Sequence, residues 1–122
     1  MNALIVDDDP IIRLLGSKML ESKGYDVKAV ADEKELRSYL AEVEVCPDLI
    51  MLDLQIGDLM GPEAIDIITA KFQITKLVCM SSHTAYEAEE LFPTLVNHIN
   101  FESNFIQKPF NSAALFELLG LS

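Results

Sequence analysis

A chain of 122 residues, half of them hydrophobic, suits one domain spanning residues 1–122, large enough to bury roughly two-thirds of its chain surface. Its apolar runs are only four to six residues long and broken by charges, so none reads as a membrane span, and no signal peptide is expected before the first strand. The net charge of −11 excludes a grip on nucleic acid or anionic lipid, which requires clustered Lys and Arg.

Cys46 and Cys79 lie far apart without a CxxC pattern and read as reduced, packed thiols of a cytoplasmic protein. Eight of the nine basic residues fall between Arg13 and Lys76, and only Lys108 follows. The last third instead carries Glu87, Glu89, Glu90, Glu102 and Glu117, which read as a solvated acidic surface.

The first strand is Ala3 to Val6, followed by Asp7-Asp8-Asp9 and Pro10. Asp9 suits a helix N-cap and Pro10 the first helical position, which leaves Asp7 and Asp8 at the strand end. Ile11, Leu15 and Met19, with Ile12 and Leu20, are expected to form the buried stripe of the first helix, which stops before Gly24. Tyr25 to Val30 alternates like a one-sided strand and is placed at the sheet edge. Asp32 and Glu35 resemble a capping box, ahead of a helical stripe of Leu36, Tyr39, Leu40 and Val43.

Leu49-Ile50-Met51-Leu52, after Pro47 and before Asp53, suits a strand covered on both faces at the sheet centre. Gly57 to Gly61 reads as a loop, and Pro62 opens a third helix with Ile65, Ile68 and Phe72 buried. Leu77 to Met80 is the fourth strand, ending at Ser81-Ser82, and Thr84 with Glu87 starts a helix that Pro93 ends or kinks. No pattern emerges from Thr94 to Asn104. A short fifth strand, Asn104 to Gln107, runs into Lys108-Pro109-Phe110, and a last helix begun near Asn111 stops at Gly120.

The tally is βαβαβαβαβα. Right-handed crossovers give an α/β, doubly wound five-stranded parallel sheet with helices on both faces. The flavodoxin-like order 2-1-3-4-5 sets strands one and three side by side at the switch point, where Asp7, Asp8 and Asp53 converge. Asp53 alone could be a turn former. Two neighbouring strands ending in carboxylates are another matter, because unit charges about 4 Å apart repel by roughly 4 kcal/mol near a protein surface and call for a counter-ion such as a hard divalent cation. The strand ends add the hydroxyl of Ser81 and the ammonium of Lys108, with no P-loop, GxGxxG or zinc spacing. Carboxylates, Mg²⁺ and lysine suit phosphoryl transfer, and an aspartate can itself be the nucleophile.

These residues resemble the receiver domain of two-component response regulators: Asp7-Asp8 after one hydrophobic strand, Asp53 after another, Ser81 after a fourth and Lys108-Pro109-Phe110 after a fifth. The resemblance covers essentially the whole chain. It implies a signalling switch rather than an enzyme, in which Asp53 accepts a phosphoryl group from a sensor histidine kinase or a histidine phosphotransfer protein. It further implies Mg²⁺ held by Asp8 and Asp53 directly, by Asp7 through water and by the backbone carbonyl of Gln55. Lys108 and Ser81 would engage the phosphoryl oxygens. Phe105 matches the aromatic switch position and equally suits a core aromatic. Gln55 and His83 fall at the positions that tune acyl-phosphate lifetime, although His83 also fits an exposed residue before a helix cap.

Gly57 stands where the family usually has proline, and the usual Gly-Ala before the fifth strand is missing. From Ser81 to Lys108 the chain advances 27 residues, about five more than expected of the family. A region whose only base is Lys108 lacks the partners for dimers held by cross-subunit salt bridges. The output is expected to be a downstream protein partner or a C-terminal effector domain. Two alternatives stand beside the switch: a phosphate-independent interaction module of the same fold, and a haloacid-dehalogenase-like phosphatase. The latter needs an acid two residues after its nucleophile, where this chain has Gln55.

Overall fold

Residues 1–121 are described by a computed structural model. Five parallel strands form the sheet: β1 (Asn2–Val6), β2 (Asp26–Val30), β3 (Leu49–Asp53), β6 (Leu77–Ser81) and β7 (Phe105–Gln107). Two further short strands, β4 (Gln55–Ile56) and β5 (Leu59–Met60), pair antiparallel in a separate hairpin. The spatial order is β2-β1-β3-β6-β7, the expected 2-1-3-4-5 once the hairpin is counted apart. Registry aligns Val6 with Leu52 and Asp53 with Met80. The ends of β1, β3 and β6 therefore lie along one edge.

β1 and β3 are central and apolar on both faces, so each feeds two cores. Leu4, Val6, Ile50, Leu52 and Cys79 pack on one side with α2 (Glu33–Glu42) and α3 (Gly61–Thr69). Ala3, Ile5, Met51, Val78 and Met80 pack on the other with α1 (Pro10–Glu21) and α5 (Ser112–Leu119). Burial raises the Cys79 thiol to about 12, so it stays protonated. No helix is long and apolar enough to cross a membrane among the described residues.

Helices start where a side chain meets a free backbone N–H, although the box expected at Asp32 closes only halfway, the Glu35 carboxylate accepting from the Ala31 N–H at 2.8 Å instead. Asp9 accepts from the Ile11 N–H at 2.9 Å, Asp32 from Glu35 at 2.8 Å, and Asn111 from Ala114 at 2.8 Å. Thr84 and Glu87 form the full reciprocal box at the start of α4 (Ala85–Leu91). Gly120, at φ +71°, ends α5 in the left-handed conformation that favours glycine.

Three expectations need correction. The stripe of α1 is turned: Ile11 and Leu15 are 63% and 47% exposed, while Gly16 and Leu20 are buried with Ile12 and Met19 packed beside them. The cause is Gly16, whose missing side chain lets α1 approach Ile5. A Cβ there would stand 3.1 Å from the Ile5 Cδ1. Gly57 to Gly61 is not a plain loop, since Gly57 at φ +60° is in the turn of the β4–β5 hairpin. β7 begins at Phe105 rather than Asn104. The stretch before it, where no pattern decides between a short helix and a loop, holds a 3-10 helix (Pro93–Asn97).

Candidate functional site

Asp7 and Asp53 are fully and almost fully buried, 0% and 6% exposed, at the ends of β1 and β3. One oxygen from each of Asp7, Asp8 and Asp53 lies within 4.8 Å of the others. Two neighbouring carboxylates in a low-dielectric site demand a cation, and Lys108 supplies one. Its ammonium lies 3.1 Å from Asp7 Oδ2 and 3.4 Å from Asp53 Oδ2. Burial works against that charge, but the Asp53 and Asp7 carboxylates outweigh it and hold the Lys108 pKa above its ordinary value. Burial, reinforced by the Asp7 charge, pushes Asp53 up to about 6, against the pull of Lys108 and of the Gln55 N–H.

Local backbone geometry fixes these groups. The Asp9 N–H donates to Asp7 Oδ1 at 2.9 Å, and Arg13 Nη1 donates to the Asp7 carbonyl at 2.9 Å. Both Asp7 oxygens are thus engaged by the protein, whereas Asp8 is exposed. The Gln55 N–H donates to Asp53 Oδ1 at 3.3 Å. Beyond it, the Gly61 N–H donates to the Leu54 carbonyl at 2.8 Å. A Cβ on Gly61 would stand 2.5 Å from Leu54 Cδ2 and 3.3 Å from its Cα, so glycine lets the helix start press against the acceptor loop.

Ser81 ends β6, buried, with its Oγ accepting from the His83 N–H at 3.1 Å. Its hydroxyl proton is left to donate elsewhere. The Lys108 N–H donates to the Ser81 carbonyl at 2.7 Å, which ties the lysine's backbone to the serine strand. A cleft of about 310 Å³ opens above these groups, lined by Asp8, Asp53, Gln55, Ser81, His83 and Lys108, and also by Leu54, Gly57, Ser82 and Phe92.

The expected residues Asp7, Asp8, Asp53, Gln55, Ser81, His83 and Lys108 therefore share one edge. Phe105 sits apart from the cleft lining, buried in β7 with its ring 5.6 Å from that of Phe101. Sequence reading missed Arg13 and Phe92. Arg13 acts through a backbone carbonyl, which leaves no pattern, and Phe92 reaches the cleft only because the chain breaks at Pro93. A larger groove of about 910 Å³ lies between β2 and α2, lined by Lys28, Asp32, Lys34, Glu35 and Glu42 among others. Its charged residues are of both signs, and neither Asp7 nor Asp53 lines it.

Three hard carboxylate donors beside one ammonium make an acidic site at the edge of a doubly wound sheet, a donor set that suits a hard divalent cation such as Mg²⁺. The family model for the response regulator receiver domain matches residues 3–120, and the chain belongs to that family, with a role in two-component signalling. Nitrogen assimilation regulatory protein NtrX of Azorhizobium caulinodans is 37% identical over 116 residues, covering 92% of this chain and 24% of that protein. A protein-glutamate methylesterase/protein-glutamine glutaminase of Thermotoga maritima is 30% identical, covering 94% of this chain and 32% of that one. The chain thus spans about a quarter of the length of its NtrX relatives and a third of the methylesterase. Among solved structures, the chemotaxis protein CheY4 of Vibrio cholerae has the same fold, with TM-score 0.79 at 23% identity over 98% of this chain and 95% of that one. The receiver domain of sensor histidine kinase PA1611 from Pseudomonas aeruginosa, with a magnesium ion coordinated in its active site cleft, has TM-score 0.78 at 25% identity over 97% of this chain and 93% of that one.

Proposed function

We propose that the chain, from residue 1 to 122, is a cytoplasmic phosphorylation-dependent switch whose phosphoryl acceptor is Asp53. The observation that carries this reading is the Lys108 ammonium shared by the buried carboxylates of Asp7 and Asp53 over a cleft that also holds Ser81. An Asp53 oxygen attacks the phosphorus of a phosphohistidine on a sensor histidine kinase or histidine phosphotransfer protein. The P–O bond forms as the P–N bond breaks, and the histidine nitrogen leaves with the electron pair.

Asp8, Asp53 and the Gln55 carbonyl would hold Mg²⁺ directly. Asp7, whose oxygens are already bonded by Asp9 and Lys108, would act through water. When bound, the ion neutralises charge on the transferring oxygens. Lys108 then follows the new negative charge, and the Ser81 hydroxyl donates to a phosphoryl oxygen. Because the Lys108 N–H is bonded to the Ser81 carbonyl, the two move together and pull on β7 and Phe105. Phosphorylation adds up to two charges at this edge, and the surface of α4, β7 and α5 shifts between two packings that a partner or an effector domain distinguishes. Gln55 and His83 tune the lifetime of the acyl phosphate from the cleft lining.

The test is intact mass after incubation with a small acyl-phosphate donor and Mg²⁺. One added phosphoryl group on wild type, none on Asp53→Asn and none in chelator is the expected result. Equal labelling of Asp53→Asn moves the acceptor elsewhere and overturns the reading.

A further inference from the structure

Phe92 is the one Phe, Tyr or Trp among the described residues that line the Asp53 cleft, and it arrives there by an irregular route. α4 stops at Leu91, because Pro93 supplies no N–H and its ring cannot continue the turn. Phe92 takes a non-helical φ of −126° and ψ of 73°, with its N–H still donating to the Ala88 carbonyl at 2.9 Å. The break turns the chain inward at this residue. Phe92 is only 9% exposed and belongs to the apolar cluster of Leu54, Ile56, Leu59, Ala88, Leu95 and Phe105.

The segment that follows is anchored twice. Leu95 is fully buried, and the His98 ring bridges the Thr94 carbonyl at 2.9 Å and Asp66 of α3 at 3.1 Å. Phe92 is therefore held from both sides. Of the other lining residues, Gly57 offers no side chain, and Gln55 is exposed. The other lining side chains, Leu54 apart, are polar and welcome water.

We propose that Phe92 is a positioning residue of the acceptor site, an apolar wall that keeps water from the phosphoryl group on Asp53 and so lengthens its life. This rests on Asp53 being the acceptor. In the reaction it restrains, a water oxygen bonds to phosphorus and the P–O bond to Asp53 breaks. Inorganic phosphate and the Asp53 carboxylate are released, and the water's protons pass to phosphate and solvent. A wall that lowers the occupancy of attacking water slows this step.

Two readouts test it. After donor removal, Phe92→Ala in the presence of Mg²⁺ loses its phosphoryl group faster than wild type by roughly fivefold, and Phe92→Leu, which restores apolar bulk, stays within about twofold. Independently of phosphate, the thiol introduced by Asp53→Cys reacts faster with a small alkylating reagent when combined with Phe92→Ala than with Phe92 in place. Rates are compared on protein shown to be folded by its circular dichroism. If Phe92→Ala does not fold, Phe92→Val replaces it with the same expected direction. Wild-type loss rates in a folded truncated variant, or equal thiol reactivity, overturn the wall. If wild type takes up no phosphoryl group, the acceptor reading fails and the thiol comparison alone decides the wall.

Discussion

The carboxylate edge and the β6–β7 connection sit side by side and are built in opposite ways. At the edge, regular strands end in registry and their last side chains do the chemistry. Asp7 and Asp53 are buried, and each is tied to the backbone of a residue two positions on. In the connection, residues 82–104, regular structure is short: a seven-residue helix, a proline, a 3-10 turn and an Asn-rich bend. Its order comes from side chains reaching out of it. Leu95 enters the core, His98 reaches α3, and the Asn104 amide donates to the Leu77 carbonyl at 2.7 Å. The edge spends stability to hold like charges together, while the connection gains stability from scattered anchors.

The largest test of that contrast is Leu95→Ala. If the connection is a packed part of the fold, removing this buried side chain destabilises the protein by about 3 kcal/mol in a urea titration. A loss under about 0.5 kcal/mol would mark the segment as loosely attached.

The opposite sign is expected at the edge. Asp53 ionises at about 6 in the folded protein against an ordinary value of 3.8. A charged Asp53 therefore opposes folding above pH 6. That cost shrinks as pH falls from 6 towards 3.8 and is absent below it. In chelator at pH 7.5, Asp53→Asn should stabilise the protein by on the order of 1–3 kcal/mol, with the gain gone near pH 3.5. Thermal melts across this range check it, and a destabilised Asp53→Asn at pH 7.5 would mean that Lys108 more than offsets the burial.

Thr84→Ala removes one half of the capping box at the entrance to the connection and should cost about 1 kcal/mol, read as a shift in urea midpoint. The smallest effect belongs to His98. Both ring nitrogens face acceptors, the Thr94 carbonyl and Asp66, so only the doubly protonated ring satisfies both. The bond to the Thr94 carbonyl raises the His98 pKa from 6.5; burial opposes it, and Asp66 adds to the rise. Its stabilisation is complete below 6.5 and is lost as pH rises through the folded-state value. Asp66 is largely exposed, so His98→Gln should cost less than about 1 kcal/mol at pH 6 and less still at pH 8.5.

The same contrast explains what was legible in the sequence. Strand order followed from the βα alternation, the edge position of β2 from its alternating pattern, and the convergence of Asp7, Asp8 and Asp53 from apolar runs that end in carboxylates. Residues that act through backbone, or through a missing side chain, left no such trace. Gly16 turned the buried face of α1 by letting the helix settle on Ile5, and counting apolar residues alone placed Ile11 and Leu15 inside. Their exposure leaves an apolar strip on α1 next to the acidic edge. Phe92 drew no reading from the sequence, in which Pro93 marks the end of the helix but not which side chain the break turns into the cleft. Arg13 entered the sequence reading only as one of nine bases, yet it donates to the Asp7 carbonyl.

The most direct test of Asp53 as the acceptor is to trap the acyl phosphate. Reduction with borohydride after phosphorylation in Mg²⁺ converts a phosphorylated aspartate to homoserine, and peptide mass mapping locates it. Homoserine at position 53 and nowhere else, dependent on both donor and Mg²⁺, is the expected result. Homoserine at position 7 or 8, or none in a protein whose mass shows an added phosphoryl group, would contradict it.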